Sequence, residues 1–263
     1  MILDRIVAVK QQEVAQLKME LNLRQAESAI ANMPSTLGFE KSLRASDDTV
    51  ALIAEVKKAS PSKGVIRPDF DPVQIAKQYE AAGAGAISVL TDVQFFQGHP
   101  SYLTEIRKEA ALPLLRKDFI IDEYQIYEAR LIGADAILLI AGILTTEQLR
   151  RYRELAGDLG LDALVEVHDT EELKKALESE ARLIGVNNRD LRTFDVDLQT
   201  TAEVASYLSP NSFLVSESGI FTYEDVETVK QAGAKAILVG ESLMRSEDIA
   251  SAIDRLLGRK IEA

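Results

Sequence analysis

One phrase of sequence occurs three times in the chain, and it limits the fold more than any other feature. A Gly-Ala-x-Ala tetrapeptide followed by a mainly apolar run begins at Gly83, Gly133 and Gly233, so that successive copies lie 50 and 100 residues apart. Each copy follows an amphipathic stretch, a pattern typical of a helix that ends at glycine and leads through a short turn into a buried strand. The copies therefore predict repeated helix–strand units.

The spacing of the copies predicts how many units there are. If 50 residues span two units, each unit has about 25 residues, and further strands should lie between the copies. Apolar runs are indeed present, and strands are predicted to start near residues 51, 87, 113, 136, 163, 183, 213 and 236. Eight near-continuous apolar strands alternating with helices are typical of a closed parallel barrel. The chain is therefore predicted to form an α/β fold, a (β/α)8 TIM barrel, over residues 49–263.

Residues 1–48 precede the barrel and are predicted to form a helical extension. Apolar residues recur at helical spacing in its first part, at Ile2, Leu3, Ile6, Val7, Val14 and Leu17. Two further helices are predicted over residues 24–33 and 39–43. The extension either closes the bottom of the barrel or packs on its side, or part of it leans over the catalytic mouth, and the sequence leaves this choice open.

Composition excludes several classes of function. The net charge of −12 disfavours binding to nucleic acid or anionic membranes. No run approaches the roughly 18 apolar residues of a membrane helix, and the N-terminus does not resemble a signal peptide. The absence of cysteine excludes disulfides and thiolate chemistry, and the two histidines are too few for a multi-histidine metal centre. We expect a soluble, cytoplasmic protein that acts on a small molecule.

Charged and amide side chains stand at the ends of the predicted strands, where parallel barrels hold their chemistry. They are Glu55, Lys57, Lys117, Glu166, Asn187 and Glu217. Because side chains alternate along a strand, Glu55 and Lys57 share the inward face, and the other groups are also in phase with inward apolar residues. Buried charges are costly unless they are paired. The cluster therefore forms either a structural layer of ion pairs or, as we favour, a ligand site.

The last two strands are followed by signs of a phosphate site. Ser218 and Gly219 follow the seventh strand, and Gly240 and Glu241 start a helix after the eighth, where barrels commonly bind phosphate. The carboxylate of Glu241 would repel an anion unless only its amide faces the ligand. Ser60 lies in a Ser/Pro/Lys/Gly loop that is placed to close the site from the other side, with an ordinary turn as the alternative.

Aromatic and histidine residues near the loops allow two interpretations. Phe96 and Phe119 are placed to enclose an aromatic substrate, with simple packing as an equal alternative. For His168 we favour a cap or loop contact over a contact with substrate, and for His99 we expect exposure to solvent.

Several long motifs resemble one enzyme family. They are residues 55–64, 115–120, 166–168, 185–191 and 216–220. In order and content these motifs resemble indole-3-glycerol phosphate synthase of tryptophan biosynthesis, over essentially the whole chain. The resemblance implies a carboxy-lyase that closes the indole ring of 1-(2-carboxyphenylamino)-1-deoxyribulose 5-phosphate, an anthranilate-derived substrate, without metal or organic cofactor.

The resemblance also implies roles for the site residues. Lys117, with a pKa lowered by neighbouring cations, is the expected acid for ring closure, and Glu166 orients or reloads it. Lys57 and Glu55 serve the later dehydration, although the division of acid roles between the two lysines stays open. The remaining expected substrate contacts are Asn187, Glu217, Arg189 and Leu138.

Two rival functions and the assembly state also stay open at this point. A Schiff-base aldolase would use a strand-end lysine on the same barrel, and a non-catalytic barrel would only bind phosphate. We expect a monomer, and association with other enzymes of tryptophan biosynthesis is an open alternative.

Overall fold

The computed structural model describes residues 2–46, 50–190 and 193–259. Eight parallel strands form a closed barrel in sequence order, and β1 pairs with both β2 and β8. The strands are β1 Ala51–Val56, β2 Ala86–Leu90, β3 Leu114–Lys117, β4 Ala136–Ile140, β5 Asp162–Val167, β6 Leu183–Asn187, β7 Phe213–Glu217 and β8 Ala236–Val239. The predicted barrel and the positions of all its strands are confirmed.

Helices surround the barrel and precede it. They are α1 Ile2–Glu20, α2 Leu23–Ile30, α3 Phe39–Arg44, α4 Pro72–Ala81, α5 Pro100–Glu109, α6 Glu123–Leu131, α7 Thr146–Asp158, α8 Thr170–Glu178, α9 Gln199–Ala205, α10 Tyr223–Gln231, α11 Glu241–Met244 and α12 Ile249–Leu256. After β1, Ala59–Ser60 pairs with Gly64–Val65 in a small antiparallel hairpin. None of the helices in the described ranges is long and apolar enough to cross a membrane.

The repeated glycines end helices, as the sequence predicts. Gly83, Gly133 and Gly233 have φ values of 76°, 96° and 105°, and each lies two residues beyond the end of its helix. This left-handed conformation lets the chain leave the helix at once, and a side chain there would add steric strain. Each strand then follows after two residues, which explains why the phrase recurs.

The strands are buried on both faces, so the barrel has two apolar layers. The inner layer fills the barrel with residues such as Ile53, Leu115 and Val215, while the outer layer packs the strands against the helices. Inner residues alternate along each strand, and this alternation also turns Glu55 and Glu217 inward at the carboxyl end. The fold thereby directs the charged side chains into the upper part of the barrel.

The extension closes the bottom of the barrel with α3 and covers its top with α1. On α3, Phe39 and Leu43 are buried, and the Glu40 amide donates a 2.9 Å hydrogen bond to Asp162, the first residue of β5. On α1, Ile2, Leu3 and Ile6 face the cavity at the opposite end. Of the alternatives left open by the sequence, closure of the bottom therefore applies to α3, and a position over the mouth applies to α1.

The proposed boundary between extension and barrel, at residues 48 and 49, lies outside the described residues, as does Leu191 of the fourth motif. The division into two parts at that point stays a prediction.

Candidate active site

The residues predicted from the sequence line one cavity at the carboxyl ends of the strands. The group at the strand ends comprises Glu55, Lys57, Lys117, Glu166, Asn187 and Glu217. The predicted substrate contacts in the same cavity are Ser60, Phe96, Phe119, Leu138, Arg189, Ser218, Gly219, Gly240 and Glu241. The fold thus brings together every residue of the predicted site, from all eight strand ends or the loops that follow them.

Lys117 lies at the centre of the charged cluster. Its Nζ is 2.8 Å from Glu166 Oε2 and 2.7 Å from Glu217 Oε2. Both carboxylates are almost completely buried, because their strands direct them into the barrel. Asn187 Nδ2 donates to the other oxygen of Glu166, at 3.2 Å, and so fixes the plane of that carboxylate. A single ammonium group therefore contacts two acidic side chains, and all three groups line the cavity.

The expectation of a lowered pKa for Lys117 is wrong. Burial alone would lower its pKa, but the carboxylates of Glu166, Glu217 and Glu55 outweigh burial and raise the pKa above its usual value. The charges nearest to Lys117 are carboxylates, whereas the other lysine of the rim, Lys57, is paired with Glu55. The surrounding carboxylates therefore favour the protonated, ammonium form of Lys117.

The two carboxyl groups beside Lys117 differ in protonation. Burial would raise the pKa of Glu166, yet Lys117, His168 and a hydrogen bond from Asn187 lower it to about 2. For Glu217, burial dominates, and together with the negative charge of Glu166 it raises the pKa to about 7 in spite of Lys117. The pKa values of two carboxyl groups that share one cation differ widely for this reason. Glu166 keeps its negative charge, and Glu217 exchanges a proton near neutral pH.

Glu55 and Lys57 form a second ion pair beside the first. Lys57 Nζ is 2.6 Å from Glu55 Oε2, as the alternation along β1 predicts. The Tyr79 hydroxyl of α4 donates to the Glu55 carbonyl at 3.0 Å and anchors the end of the strand from behind. The cluster thus satisfies much of its charge internally, as the structural alternative requires, but the side chains also face an open cavity.

Glycine at position 185 makes room for Glu217. A Cβ atom on Gly185 would lie 2.2 Å from Glu217 Oε1 and 3.3 Å from Leu164 Cδ1. Any side chain at position 185 of β6 would therefore displace the Glu217 carboxylate. Gly185 belongs to one of the motifs quoted above, but the sequence alone does not reveal this contact.

The loops after β7 and β8 form the polar side of the cavity. Ser218 and Gly219 turn the chain sharply after Glu217, with φ values of 65° and 78°. Beside them, α11 starts directly after Gly240, and Glu241 turns its carboxylate to Arg245, 3.1 Å away on the next turn. The carboxylate that seemed to oppose an anion is therefore paired with a cation of its own helix.

Aromatic and aliphatic side chains form the other side of the cavity. The rings of Phe96 and Phe119 lie 6.0 Å apart between centroids and are inclined by 36°. Leu138 from β4 and Ile6 from α1 line the same region. The cavity thus has an apolar end and a polar end, separated by the charged cluster.

The structure adds groups that the sequence interpretation did not select. His168 Nδ1 lies 3.0 Å from Glu172, which supports the expected cap contact, but Nε2 also lies 3.6 Å from Glu166. Phe194 and Phe221 stand at the cavity mouth. His99 is exposed, as expected, and caps α5 by accepting a hydrogen bond from the Ser101 amide. Within the described ranges, no group of three or more His, Asp or Glu side chains is arranged to hold a metal ion.

The closed barrel and its charged cavity at the carboxyl end define a TIM-barrel protein with the layout of an enzyme. A sequence model described as indole-3-glycerol phosphate synthase matches residues 3–256. The chain belongs to the indole-3-glycerol phosphate synthase family.

Curated relatives agree with this assignment. The chain is 53% identical over 253 residues to indole-3-glycerol phosphate synthase of Chloroherpeton thalassium, with 95% of this chain and 96% of the relative covered. It is 46% identical over 260 residues to the same enzyme of Ruminiclostridium cellulolyticum, covering 98% and 99% of the two chains.

Among solved structures, thiamine phosphate pyrophosphorylase of Pyrococcus furiosus has a TM-score of 0.60 at 17% identity, over 79% of this chain and 93% of that one. Such a distant similarity supports the fold alone.

Proposed function

We propose that the cavity closes the indole ring of 1-(2-carboxyphenylamino)-1-deoxyribulose 5-phosphate, with release of CO₂ and water, to give indole-3-glycerol phosphate. The observation that carries the proposal is the position of Lys117, between an aromatic wall and a polar, glycine-containing wall. The substrate has the same order of parts, because its carbonyl lies between an aromatic ring and a phosphate. The cavity thus matches the substrate along its length.

In the first step, the ring carbon that bears the carboxylate attacks the ribulose carbonyl, and the carbonyl electrons move to its oxygen. The Lys117 ammonium donates a proton to this developing alkoxide, which is a stronger base than an amine even when the pKa of the amine is raised. Glu166, held ionised beside it, stabilises the ammonium and orients it. Because the carboxylates favour the protonated form, Lys117 carries the proton that this step needs when the substrate binds.

Loss of CO₂ then returns the electrons of the broken carbon–carbon bond to the ring and restores its aromaticity. Dehydration follows, in which a base removes a proton from the former C1 methylene while an acid protonates the departing hydroxyl. Glu55 and Lys57 are assigned to these two roles because they lie together, 2.6 Å apart, at the end of β1 on the same rim as Lys117. The double bond formed in this step completes the indole.

The remaining residues bind the substrate. Asn187 and Glu217 lie beside Lys117 and are assigned to the sugar hydroxyls or the anilino nitrogen, and Arg189 to the polar end. The phosphate is assigned to the backbone of Gly219, Gly240 and Glu241, since amides at a helix start favour an anion. Ser60 closes this end from the hairpin after β1.

The rival Schiff-base function is disfavoured by charge. An amine must be neutral to attack a carbonyl, and the carboxylates around Lys117 stabilise its protonated form. A purely phosphate-binding role does not explain why lysines and glutamates are paired in the cavity.

The test is an assay in which the purified protein is incubated with the synthetic substrate. The fluorescence of the indole product measures the rate. We expect product formation without added metal, and no covalent adduct after borohydride treatment. Absence of turnover, or a borohydride-trapped adduct on Lys117, would contradict the proposal.

We further propose that the chain acts as a monomer. This proposal extends the expectation from the sequence, and the described residues of one chain by themselves line the cavity that we assign to the substrate. Sedimentation at micromolar concentration, alone and mixed with other enzymes of tryptophan biosynthesis, tests both the monomer and its association with partners.

A further inference from the structure

A lysine of the N-terminal extension is buried against the rim of the barrel. Lys10 on α1 is only 2% exposed, and its Nζ lies 2.7 Å from Glu13, 3.0 Å from Asp92 and 2.8 Å from Asp118. Asp92 follows β2 and Asp118 follows β3, so the lysine joins two neighbouring rim loops. Neither Lys10 nor Asp92 was selected from the sequence.

We infer that Lys10 is a positioning residue for the aromatic end of the substrate, acting through Asp92 and Asp118 on Phe96 and Phe119. The inference rests on the proposed function, because it assigns the aromatic ring of that substrate to the apolar end of the cavity.

Asp92 links the lysine to the first aromatic loop. Its Oδ2 faces Lys10, while its Oδ1 accepts hydrogen bonds from the amides of Phe95 and Phe96, at 2.7 and 3.1 Å. Charge-assisted hydrogen bonds to two successive amides fix the backbone from which the Phe96 ring projects. The position of this ring therefore depends on the position of the Asp92 carboxylate.

Asp118 links the lysine to the second aromatic loop. Its Oδ1 contacts Lys10 and accepts a 2.8 Å hydrogen bond from the Phe119 amide. Its Oδ2 accepts hydrogen bonds from the Thr91 hydroxyl and the Arg116 guanidinium, at 2.6 and 3.2 Å. The carboxylate is thereby held through both oxygens, and Lys10 supplies the contact from α1.

The charge of Lys10 is needed where it stands. Asp92 and Asp118 are both buried, and removal of one member of a buried ion cluster leaves the opposite charges uncompensated. Burial would lower the pKa of Lys10, but Asp118 and Asp92 raise it above its usual value, so the cation is present throughout the physiological range. One turn earlier on the same face of α1, Ile6 lines the cavity beside Phe119 and Leu138. Lys10 therefore fixes three walls of the aromatic end: two rings and the helix.

The test compares K10M with K18M by steady-state kinetics on the synthetic substrate. Lys18 lies on the same helix and pairs with Asp122 after β3 at 2.6 Å, but it is 44% exposed. Because an aromatic contact contributes about 1 kcal/mol, KM should rise roughly fivefold in K10M with kcat within about twofold, and KM should not change in K18M. The inhibition constant of inorganic phosphate should be equal in all three proteins, since that end of the cavity is untouched.

Destabilisation alone would produce a different result. It would reduce the fraction of active protein, which lowers kcat and leaves KM unchanged. K10R, which keeps the cation, should recover most of the wild-type KM. If K10M does not fold, D92N takes its place, because asparagine can still accept from the Phe96 amide but loses the charge that pairs with Lys10.

An unchanged KM in K10M, or an equal rise in K18M, would overturn the role of Lys10 while leaving the proposed function intact. Absence of turnover in the wild-type protein would overturn both.

Discussion

Each end of the barrel holds a buried carboxylate of similar exposure, but the two carboxylates differ in how completely they are hydrogen-bonded. At the bottom, Asp135 accepts hydrogen bonds from the Leu37 amide on one oxygen and from the Leu114 amide and Arg107 on the other, each at 2.7 Å. At the top, Glu217 contacts Lys117 through one oxygen, while its other oxygen has no hydrogen-bond partner among the described residues. The bottom carboxylate is fully satisfied, and the top one is not.

This difference shows which end stabilises the fold and which end performs chemistry. A buried carboxylate with several donors strengthens the native state, whereas one with a free oxygen costs stability and is available to a ligand. The proposed substrate carries hydroxyl and amine hydrogens that a carboxylate oxygen of Glu217 can accept. Substitutions at the two ends should therefore separate activity from stability.

The largest effect is expected for K117M at the top. The substitution removes the proposed acid for ring closure, and general acid catalysis contributes about 10²- to 10⁴-fold, so kcat should fall by about 10²- to 10⁴-fold. Product fluorescence measures the rate, and competition by inorganic phosphate shows that the polar end still binds anions. K77M removes a lysine from an exposed pair with Glu109 and should keep full activity. Near-normal turnover of K117M would remove Lys117 from the mechanism.

The next effect is expected for E217Q, which should lower activity and raise stability together. Loss of a charged contact to the substrate should reduce kcat/KM by about a hundredfold. Because the pKa of Glu217 is raised from 4.5 to about 7, the folded protein binds more protons than the unfolded chain between these values. The contribution of Glu217 to the free energy of unfolding therefore decreases as the pH rises from 4.5 to about 7.

Urea unfolding of wild-type protein and E217Q between pH 5 and 8 would reveal this contribution. The stability difference between the two proteins should grow in favour of E217Q with increasing pH and level off above about pH 7. A constant difference would mean that Glu217 does not exchange a proton in this range.

A smaller effect is expected for G185A, which moves Glu217 without removing it. The added Cβ would lie 2.2 Å from Glu217 Oε1, so the carboxylate must shift away from its contact with Lys117. A displacement of this kind should lower kcat/KM by roughly tenfold. G157A is the matched control, because a Cβ at that exposed helical position meets no atom within 4 Å and should leave activity unchanged. Equal activity of G185A and G157A would show that the position of Glu217 is not critical.

The barrel and the convergence of the strand-end residues at the top were accessible from the sequence, because they follow from the topology, whereas the role of Asp135 at the bottom was not predicted. The strands are buried on both faces and follow glycine-terminated helices, so their positions could be predicted to within a few residues. The strand-end residues then had to converge, since parallel strands deliver their carboxyl ends to one rim. The predicted residues therefore share a cavity even though they are distant in the chain.

Distances between side chains were not accessible in this way. The alternation along β1 predicts that Lys57 lies beside Glu55, but the sequence does not show that Lys117 faces two carboxylates. For this reason the predicted direction of the Lys117 pKa shift was wrong. Lys10 was missed because a lysine on an amphipathic helix ordinarily faces solvent, and its partners lie in distant loops. Pairings between remote segments require the folded structure.

The smallest effect on activity is expected for D135N at the bottom, where the loss should fall on stability instead. Asparagine cannot accept all three hydrogen bonds and brings an NH₂ group towards a donor, so the free energy of unfolding should fall by about 2 to 3 kcal/mol, or roughly 5 to 10 °C in Tm. Thermal unfolding measures this change, and D158N, at an exposed position on α7, should leave Tm unaltered. Because Asp135 lies at the opposite end from Lys117, kcat of the folded enzyme should stay within about twofold of wild type. A large loss of kcat at full folding would mean that the bottom carboxylate also shapes the cavity, and the two ends would then not be independent.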